Sequence, residues 1–203
     1  IVDDSIKDIT EYSKQSVQPI RHFVVENLRT ARRVLRKYDY KVNFDNEVSF
    51  FEYDKHIKTS SLEEIENWFK AGFSVGLMSD PGNEVVRLAH RLGTSIEVLS
   101  GPSSILMALV ASGLNGQNFA FNGYLPIDQG ERLKKLKFLE ARAQSENQTQ
   151  LFMETPYRNQ GLFDFILKSC PSHLFLGIAA NIGEESSIIR SKKIEDWKRD
   201  FLP

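Results

Sequence analysis

Cysteine is almost absent from this sequence: Cys170 is the only one among 203 residues. A single cysteine excludes an intramolecular disulfide and a cysteine metal cluster within the sequence, and it is typical of proteins of the reducing cytosol. We therefore expect a cytoplasmic protein. Long apolar runs are absent too. None approaches the roughly 18 residues that a bilayer-spanning helix needs, so we expect no membrane partner.

An excess of charge of one sign is also lacking. The formal net charge is −1, with 26% charged and 41% hydrophobic residues, which is typical of globular proteins. This balance gives no overall electrostatic preference for nucleic acid or for a membrane surface, although it is compatible with a local basic patch. The length suits one large domain or two smaller ones of about 100 residues each.

Several catalytic signatures are missing. The sequence has no Gly-x-Gly-x-x-Gly, no Walker-type phosphate loop and no His-Glu-x-x-His segment, which argues against a zinc hydrolase. Asp80 and Glu154 are a possible pair of carboxylates for acid–base chemistry, but nothing in the sequence places them together. The residues alone therefore indicate a polar ligand site without naming a reaction.

Two apolar runs organise the sequence, over 75–82 and 98–104. Each ends abruptly in small, polar or turn-forming residues and is followed by a helical pattern. Consecutive parallel strands of an α/β sheet have this pattern. Ligands of such sheets bind in the loops at the carboxyl ends of the strands. We predict that these two loops line one pocket; the alternative is that both are simple strand-to-helix turns.

Strand and helix patterns alternate along the chain and predict an α/β fold. The alternation breaks at 112–116, which we take as the boundary between an N-terminal α/β domain over 1–114 and a C-terminal α/β domain over 115–203. We predict strands over 22–25, 48–53, 73–78, 95–99, 119–126, 150–153, 175–180 and 186–190, with helices between them.

Basic residues are concentrated on two predicted helices, over 28–37 and 130–144. A solvated helix surface is the simpler interpretation. The functional alternative is a strip that faces the phosphates of a nucleic acid. The basic residues are Arg29, Arg32, Arg33, Arg36 and Lys37 on the first helix, and Arg132, Lys134, Lys135, Lys137 and Arg142 on the second.

The order of several short motifs carries a family resemblance. They include Ser79-Asp80-Pro81-Gly82, Gly101-Pro102-Ser103-Ser104 and Glu154-Thr155-Pro156-Tyr157-Arg158. Together they resemble the tetrapyrrole methylase family of S-adenosylmethionine-dependent methyltransferases. The segment over 26–32 resembles the branch that methylates the ribose 2′-hydroxyl of a cytidine in small-subunit ribosomal RNA. Further matching segments lie at 83–89, 111–114, 121–126 and 130–132.

The resemblance implies two α/β domains, the N-terminal one with a mostly parallel sheet and the C-terminal one with a mixed sheet, and S-adenosylmethionine in the cleft between them. It also implies a homodimer, with ribosomal RNA or the small ribosomal subunit as partner. Carried over position by position, the cofactor-binding residues are Ser79, Asp80, Ser103, Ser104, Met153, Glu154, Thr155, Ala180, Asn181 and Ile182, and the substrate-binding residues are Arg29, Arg32 and Arg158.

Other interpretations of these residues stay open. Met153 and Ile182 suit an ordinary core, and Ser103 and Ser104 suit a helix cap. The family has a longer loop where this sequence has residues 79–82. The family also opens with one strand and closes with another, and we expect both of these strands to lie outside residues 6–203. The catalytic base is unassigned, with Glu26, Asp80 and Glu154 as candidates. Alternative functions are a methylase of a tetrapyrrole or other small metabolite, and a non-catalytic binding protein of the same fold.

Overall fold

The computed structural model describes residues 9–53, 62–78 and 83–200. The chain forms two compact units, over 1–101 and 102–203. The helix Ser104–Ser112 lies in the second unit, whereas the predicted boundary after residue 114 places it in the N-terminal domain. Within the described residues, no helix is long and apolar enough to cross a membrane.

A parallel sheet forms the centre of the first unit. Its strands are β1 (His22–Val25), β2 (Ser49–Glu52) and β3 (Val75–Met78), in the spatial order β2-β1-β3. Both neighbours run parallel to β1, with His22 opposite Ser49 on one side and opposite Val75 on the other. The prediction of a mostly parallel N-terminal sheet is therefore confirmed.

Helices cover both faces of this sheet because the central strand is apolar on both sides. Val24 packs on one face with Ile65, while Phe23 and Val25 pack on the other with Leu35. Successive side chains of a strand point to opposite faces, so a continuous apolar run requires two covering layers. The helices are α1 (Glu11–Val17), α2 (Leu28–Lys37), α3 (Glu63–Lys70) and α4 (Asn83–Arg91).

The segment 94–100 is irregular, so the strand predicted over 95–99 is wrong. The segment lies beside α1: the Tyr12 hydroxyl donates to the Glu97 carboxylate, and the Ser13 hydroxyl donates to the Ser100 carbonyl at 3.3 Å. A strand needs a neighbouring strand for its backbone hydrogen bonds. Among the described residues, the sheet ends at β3, and 95–99 does not pair with that edge, so its alternating pattern does not form a strand.

The second unit contains two pairs of strands. Strands β4 (Phe119–Tyr124) and β5 (Thr149–Met153) are parallel, whereas β6 (Phe175–Ala180) and β7 (Ile188–Lys193) are antiparallel. The predicted mixed pairing is confirmed, although the described strands form two separate sheets. A cavity of about 360 Å³ lies between β5 and β6, and residues of both strands line it.

Four helices and a short 3-10 helix complete the second unit. Leu136 and Leu139 pack against Leu162 and Ile166, and Ile194 joins this core. This core therefore holds the helices against the strands whose ends lead into the polar loops described below. The helices are α5 (Ser104–Ser112), α6 (Gln129–Ser145), α7 (Asn159–Ser169) and α8 (Ile194–Arg199), and the 3-10 helix is Pro156–Arg158.

Candidate functional site

A buried carboxylate follows the last residue of β5. The side chain of Glu154 is only 5% exposed. Its Oε1 atom accepts hydrogen bonds from the backbone N–H of Thr155 at 2.8 Å and from Nε of Arg158 at 2.8 Å. A second guanidinium N–H of Arg158 and the Thr155 hydroxyl also donate to this oxygen. The structure therefore brings together three of the predicted site residues.

The local sequence explains this arrangement. Pro156 begins the 3-10 helix directly after Thr155, and proline suits such a start because its φ is already restricted. The turn brings Arg158 back over Glu154, four residues earlier in the chain. The cluster forms within five consecutive residues, so the sequence motif specifies it without help from distant segments.

Glu154 is held in its ionised form. Burial alone would raise the pKa of its carboxyl group, but the hydrogen bonds from Thr155 and Arg158 outweigh burial and hold the pKa below its usual value. A carboxylate with a lowered pKa is a weak proton acceptor at neutral pH. Glu154 is therefore suited to accepting hydrogen bonds from a ligand rather than to acting as a general base.

Arg158 is engaged within this cluster. Two of its guanidinium nitrogens donate to Glu154, and its side chain is 22% exposed. Its Cζ atom lies 6.0 Å from the centre of the Tyr157 ring, and Tyr157 is 84% exposed. These contacts give Arg158 a positioning role toward Glu154. The substrate contact predicted for it stays a prediction.

A bulge shapes the end of β4 next to this cluster. The register of β4 and β5 shifts between Phe121 and Tyr124, so that Tyr124 lies opposite Met153. Gly123 lies inside the shift with a φ of +63°, which favours glycine. The Asn122 amide donates to the Gln150 side chain at 3.1 Å. Such bulges re-aim side chains beside functional sites, and the Asn-Gly pair was the signal that our sequence interpretation missed.

The predicted residues after β6 form a tight turn. Ala180 is the last residue of β6 and pairs with Ile188 of β7. Asn181 has a φ of +50°, and its amide donates to the Ser186 hydroxyl at 3.1 Å. Ile182 follows and is half-buried. Among the described residues, no hydrogen bond joins this turn to Glu154, so its part in a ligand site stays a prediction.

The serine pair before α5 acts as a helix start. Ser103 is the N-cap, and its hydroxyl accepts from the Leu106 N–H at 3.5 Å. Ser104 is the first residue of the helix. The capping interpretation of Ser103 is therefore confirmed, and a ligand contact by either serine stays a prediction. Ser79 and Asp80 lie outside the residues that the structure describes.

In the first unit, the ends of β1 and β2 meet at the start of α2. The Asn27 side chain accepts from the Thr30 N–H at 2.9 Å, and the Glu52 carboxylate accepts from the Leu28 N–H at 2.8 Å. Both acceptors satisfy N–H groups that a helix start leaves unpaired. Glu52 was not among the predicted site residues, because its contact with α2 spans 24 residues. Arg29 extends from this fixed start into solvent.

The two predicted arginines of α2 have different surroundings. Arg32 pairs with Asp45 at 3.0 Å, and its guanidinium lies 5.6 Å from the centres of the Phe44 and Phe50 rings. Arg29 is exposed and has no polar partner within the described part of the chain. Arg32 therefore contributes to packing, while Arg29 is the one available for a ligand.

Comparison with known proteins gives the family context. Ribosomal RNA small subunit methyltransferase I of Bacillus subtilis is 28% identical over 162 residues, which cover 76% of this chain and 52% of that protein. The protein of the same name from Thermotoga maritima is 27% identical over 164 residues, covering 76% of this chain and 68% of the relative. The chain is similar to ribosomal RNA small subunit methyltransferase I. No family model matches it.

The fold comparison agrees with this relationship. The crystal structure of the methyltransferase CobJ superposes with a TM-score of 0.57 at 15% identity, and the match covers 93% of this chain and 82% of that one. At this identity the likeness shows a shared fold. The resemblance to a small-subunit ribosomal RNA methyltransferase predicted from the sequence motifs is confirmed by the two sequence relatives, and the structural match adds the shared fold. This chain spans about half the length of its Bacillus subtilis relative.

Proposed function

We propose that this chain is an S-adenosylmethionine-dependent methyltransferase that methylates a ribose 2′-hydroxyl of ribosomal RNA. The observation that carries the proposal is the match to ribosomal RNA small subunit methyltransferase I over 76% of the chain. The polar clusters at the strand ends support it, because ligands of α/β proteins bind at such ends.

The residues around Glu154 fit the proposed cofactor chemically. S-adenosylmethionine supplies a methyl group bound to a positively charged sulfur, along with hydroxyl and amino groups that donate hydrogen bonds. The ionised Glu154 carboxylate offers its Oε2 atom as an acceptor, because Oε1 already accepts from Thr155 and Arg158. Half-buried Met153 adds an apolar contact. We include Ser79, Asp80, Ser103, Ser104, Ala180, Asn181 and Ile182 in the proposed cofactor site.

On the acceptor side, the chain has to position a ribose and help remove its proton. Aligning the acceptor oxygen with the methyl group is the main requirement of such a transfer. Exposed Arg29 is suited to an RNA phosphate, because Asn27 and Glu52 fix the helix start that carries it. Exposed Glu26, at the end of β1, is our candidate for the proton acceptor.

We also propose that the protein forms a homodimer. Leu106 and Val110 of α5 are 51% and 82% exposed. A second copy of the chain would bury these exposed apolar side chains in a dimer interface. Sedimentation of the purified protein tests this directly. A monomer at concentrations well above those of the activity assays contradicts it.

Methyl transfer from radiolabelled S-adenosylmethionine tests the proposed function. Small ribosomal subunits and tetrapyrrole precursors are offered as acceptors in parallel, and calorimetry measures cofactor binding. We expect label in ribosomal RNA at a ribose. Label in the tetrapyrrole points to a metabolite methylase, and cofactor binding without transfer to either acceptor contradicts the proposal. Absence of cofactor binding points to a non-catalytic protein of the same fold.

Arg29→Glu tests the acceptor side. We expect weaker RNA binding whose loss diminishes as salt rises, because the contact is with phosphate. Arg91→Glu is the matched control, since Arg91 is an exposed cation of the same unit and the substitution changes the charge equally. Equal losses for both variants at every salt concentration contradict a specific phosphate contact by Arg29.

A further inference from the structure

Helix α6 carries an exposed aromatic ring between two cations. Phe138 is 53% exposed. The Nζ atom of Lys135 lies 5.3 Å from the ring centre, and the Cζ atom of Arg142 lies 6.0 Å from it. Residues three and four apart share one face of a helix, so these side chains form a single stripe. Leu136 and Leu139 bury the neighbouring face of α6, while the Phe138 ring of the stripe remains exposed to solvent.

The cations of α6 divide into engaged and available ones. Arg132 donates to the backbone carbonyls of Pro126 at 2.8 Å and Ile127 at 2.9 Å, which makes it structural. Lys134 pairs with Glu131, and Arg142 pairs with Glu146 through two nitrogens. Lys135 contacts only the Phe138 ring, and Lys137 has no partner among the described residues.

We propose that the Phe138 surface, formed by Lys135, Lys137 and Phe138, binds single-stranded RNA. The inference rests on the proposed function, since it names a contact surface for the RNA that carries the acceptor. An aromatic ring stacks with any unpaired base, and flanking cations neutralise the adjacent phosphates. The bases of duplex RNA are already stacked on one another inside the helix, so they are not available to stack on a single exposed ring.

Charge complementarity favours RNA over a protein partner. An interface core for another protein is depleted in charged residues and especially in lysine. Here Lys135 lies against the ring, and exposed Lys137, one residue before Phe138, lies about 100° round the helix axis from it. Such interleaving of aromatic and basic side chains matches the alternation of bases and phosphates along a strand.

Binding of a fluorescent ten-residue oligouridylate, measured by anisotropy at several salt concentrations, tests the proposal. We expect Phe138→Ala to weaken binding by about 5- to 150-fold, the range for loss of one stacked base. Phe138→Leu keeps an apolar side chain without an aromatic face, so it should bind as weakly as the alanine variant. Phe138→Trp should bind at least as well as the wild type, because it keeps the ring.

Two further measurements separate stacking from charge. Lys137→Ala should lower the slope of affinity against salt by about one phosphate contact. Phe175→Ala is the aromatic control, since Phe175 of β6 is 57% exposed, and it should bind like the wild type. A labelled RNA duplex should bind the wild type and Phe138→Ala equally. Thermal unfolding of every variant confirms that it is folded.

The inference is overturned if Phe138→Leu binds the oligouridylate with wild-type affinity, or if Phe138→Ala loses as much affinity for duplex RNA as for the oligouridylate. It is also overturned if the wild type does not bind the oligouridylate. Methyl transfer by the wild type is measured separately. If transfer occurs and the Phe138 variants bind like the wild type, the Phe138 surface is refuted and the proposed function stands. If transfer fails while the binding pattern holds, the proposed function is refuted and the Phe138 surface stands.

Discussion

Replacing Arg158 by methionine tests the physical account of the candidate site. The substitution keeps a long apolar side chain but removes the guanidinium that donates twice to Glu154. The Glu154 side chain is 5% exposed, so solvent compensates little for the lost donors. The Thr155 N–H and hydroxyl still donate. The variant therefore isolates the contribution of Arg158 to holding a buried carboxylate in its ionised form.

The expected loss of stability follows from these contacts. A hydrogen bond to a charged group contributes about 1.5–3 kcal/mol. Two donors from Thr155 stay in place, and the Arg158 side chain is 22% exposed, so solvent screening reduces the effect. We expect Arg158→Met to lower the free energy of unfolding by about 1.5–2 kcal/mol at pH 7, at the low end of that range.

The pH dependence gives the reasoning its sharper test. The pKa of Glu154 is lower in the folded chain than in the unfolded one. Its stabilisation is therefore complete above the unfolded pKa of about 4.3 and is lost as pH falls through the folded pKa. Without Arg158 the pKa rises, because burial persists while a donor is lost. The stability difference between wild type and variant should shrink from pH 7 toward pH 4.

Urea unfolding across this pH range measures the difference. Arg87→Met is the matched control: Arg87 pairs with Glu84 at 2.7 Å on an exposed helix surface, with side chains 67% and 39% exposed. Exposed pairs contribute little, so the control should unfold like the wild type. A stability difference for Arg158→Met that is the same at pH 7 and pH 4 refutes the account. A loss no larger than that of Arg87→Met also refutes it.

Two further substitutions test the packing of each unit. Gly76→Ala places a Cβ atom 2.5 Å from Cδ1 of buried Phe23, so urea unfolding should show a loss of about 1–3 kcal/mol. Gly116→Ala, where a Cβ meets nothing within 4 Å, should be neutral, and equal losses contradict the steric argument. Trp197→Phe removes the hydrogen bond from Nε1 to the Leu176 carbonyl at 2.9 Å and part of a buried ring. We expect it to lose about 1–2 kcal/mol; an unchanged unfolding midpoint excludes that contribution.

Sequence patterns predicted the elements whose signal is local. The strand over 22–25 was predicted with its observed bounds, because its run of apolar residues is buried on both sides and flanked by polar ones. The strand predicted over 95–99 failed for the opposite reason. Its alternating side chains are compatible with a strand, but pairing depends on a neighbouring backbone, which periodicity does not report.

The candidate site divides in the same way. The contacts of Glu154 with Thr155 and Arg158 form within five residues, so a sequence motif was sufficient to group them. The contact between Glu52 and Leu28 spans 24 residues, and that between Asn122 and Gln150 spans 28. Such contacts form only after the strands have come together, so no local sequence pattern predicts them.

The structure shows that only some of the basic side chains of α2 and α6 are available for a ligand. Counting lysines and arginines along α2 and α6 suggests two broad cationic faces, yet folding engages several of these side chains. Arg32 lies against aromatic rings and pairs with Asp45, and Arg132 holds backbone carbonyls. Exposed Arg29 and Lys137 are left without polar partners in the described chain. A net charge of −1 is therefore compatible with RNA binding, because a few available cations placed beside a fixed helix start and an exposed ring are sufficient for localised phosphate contacts.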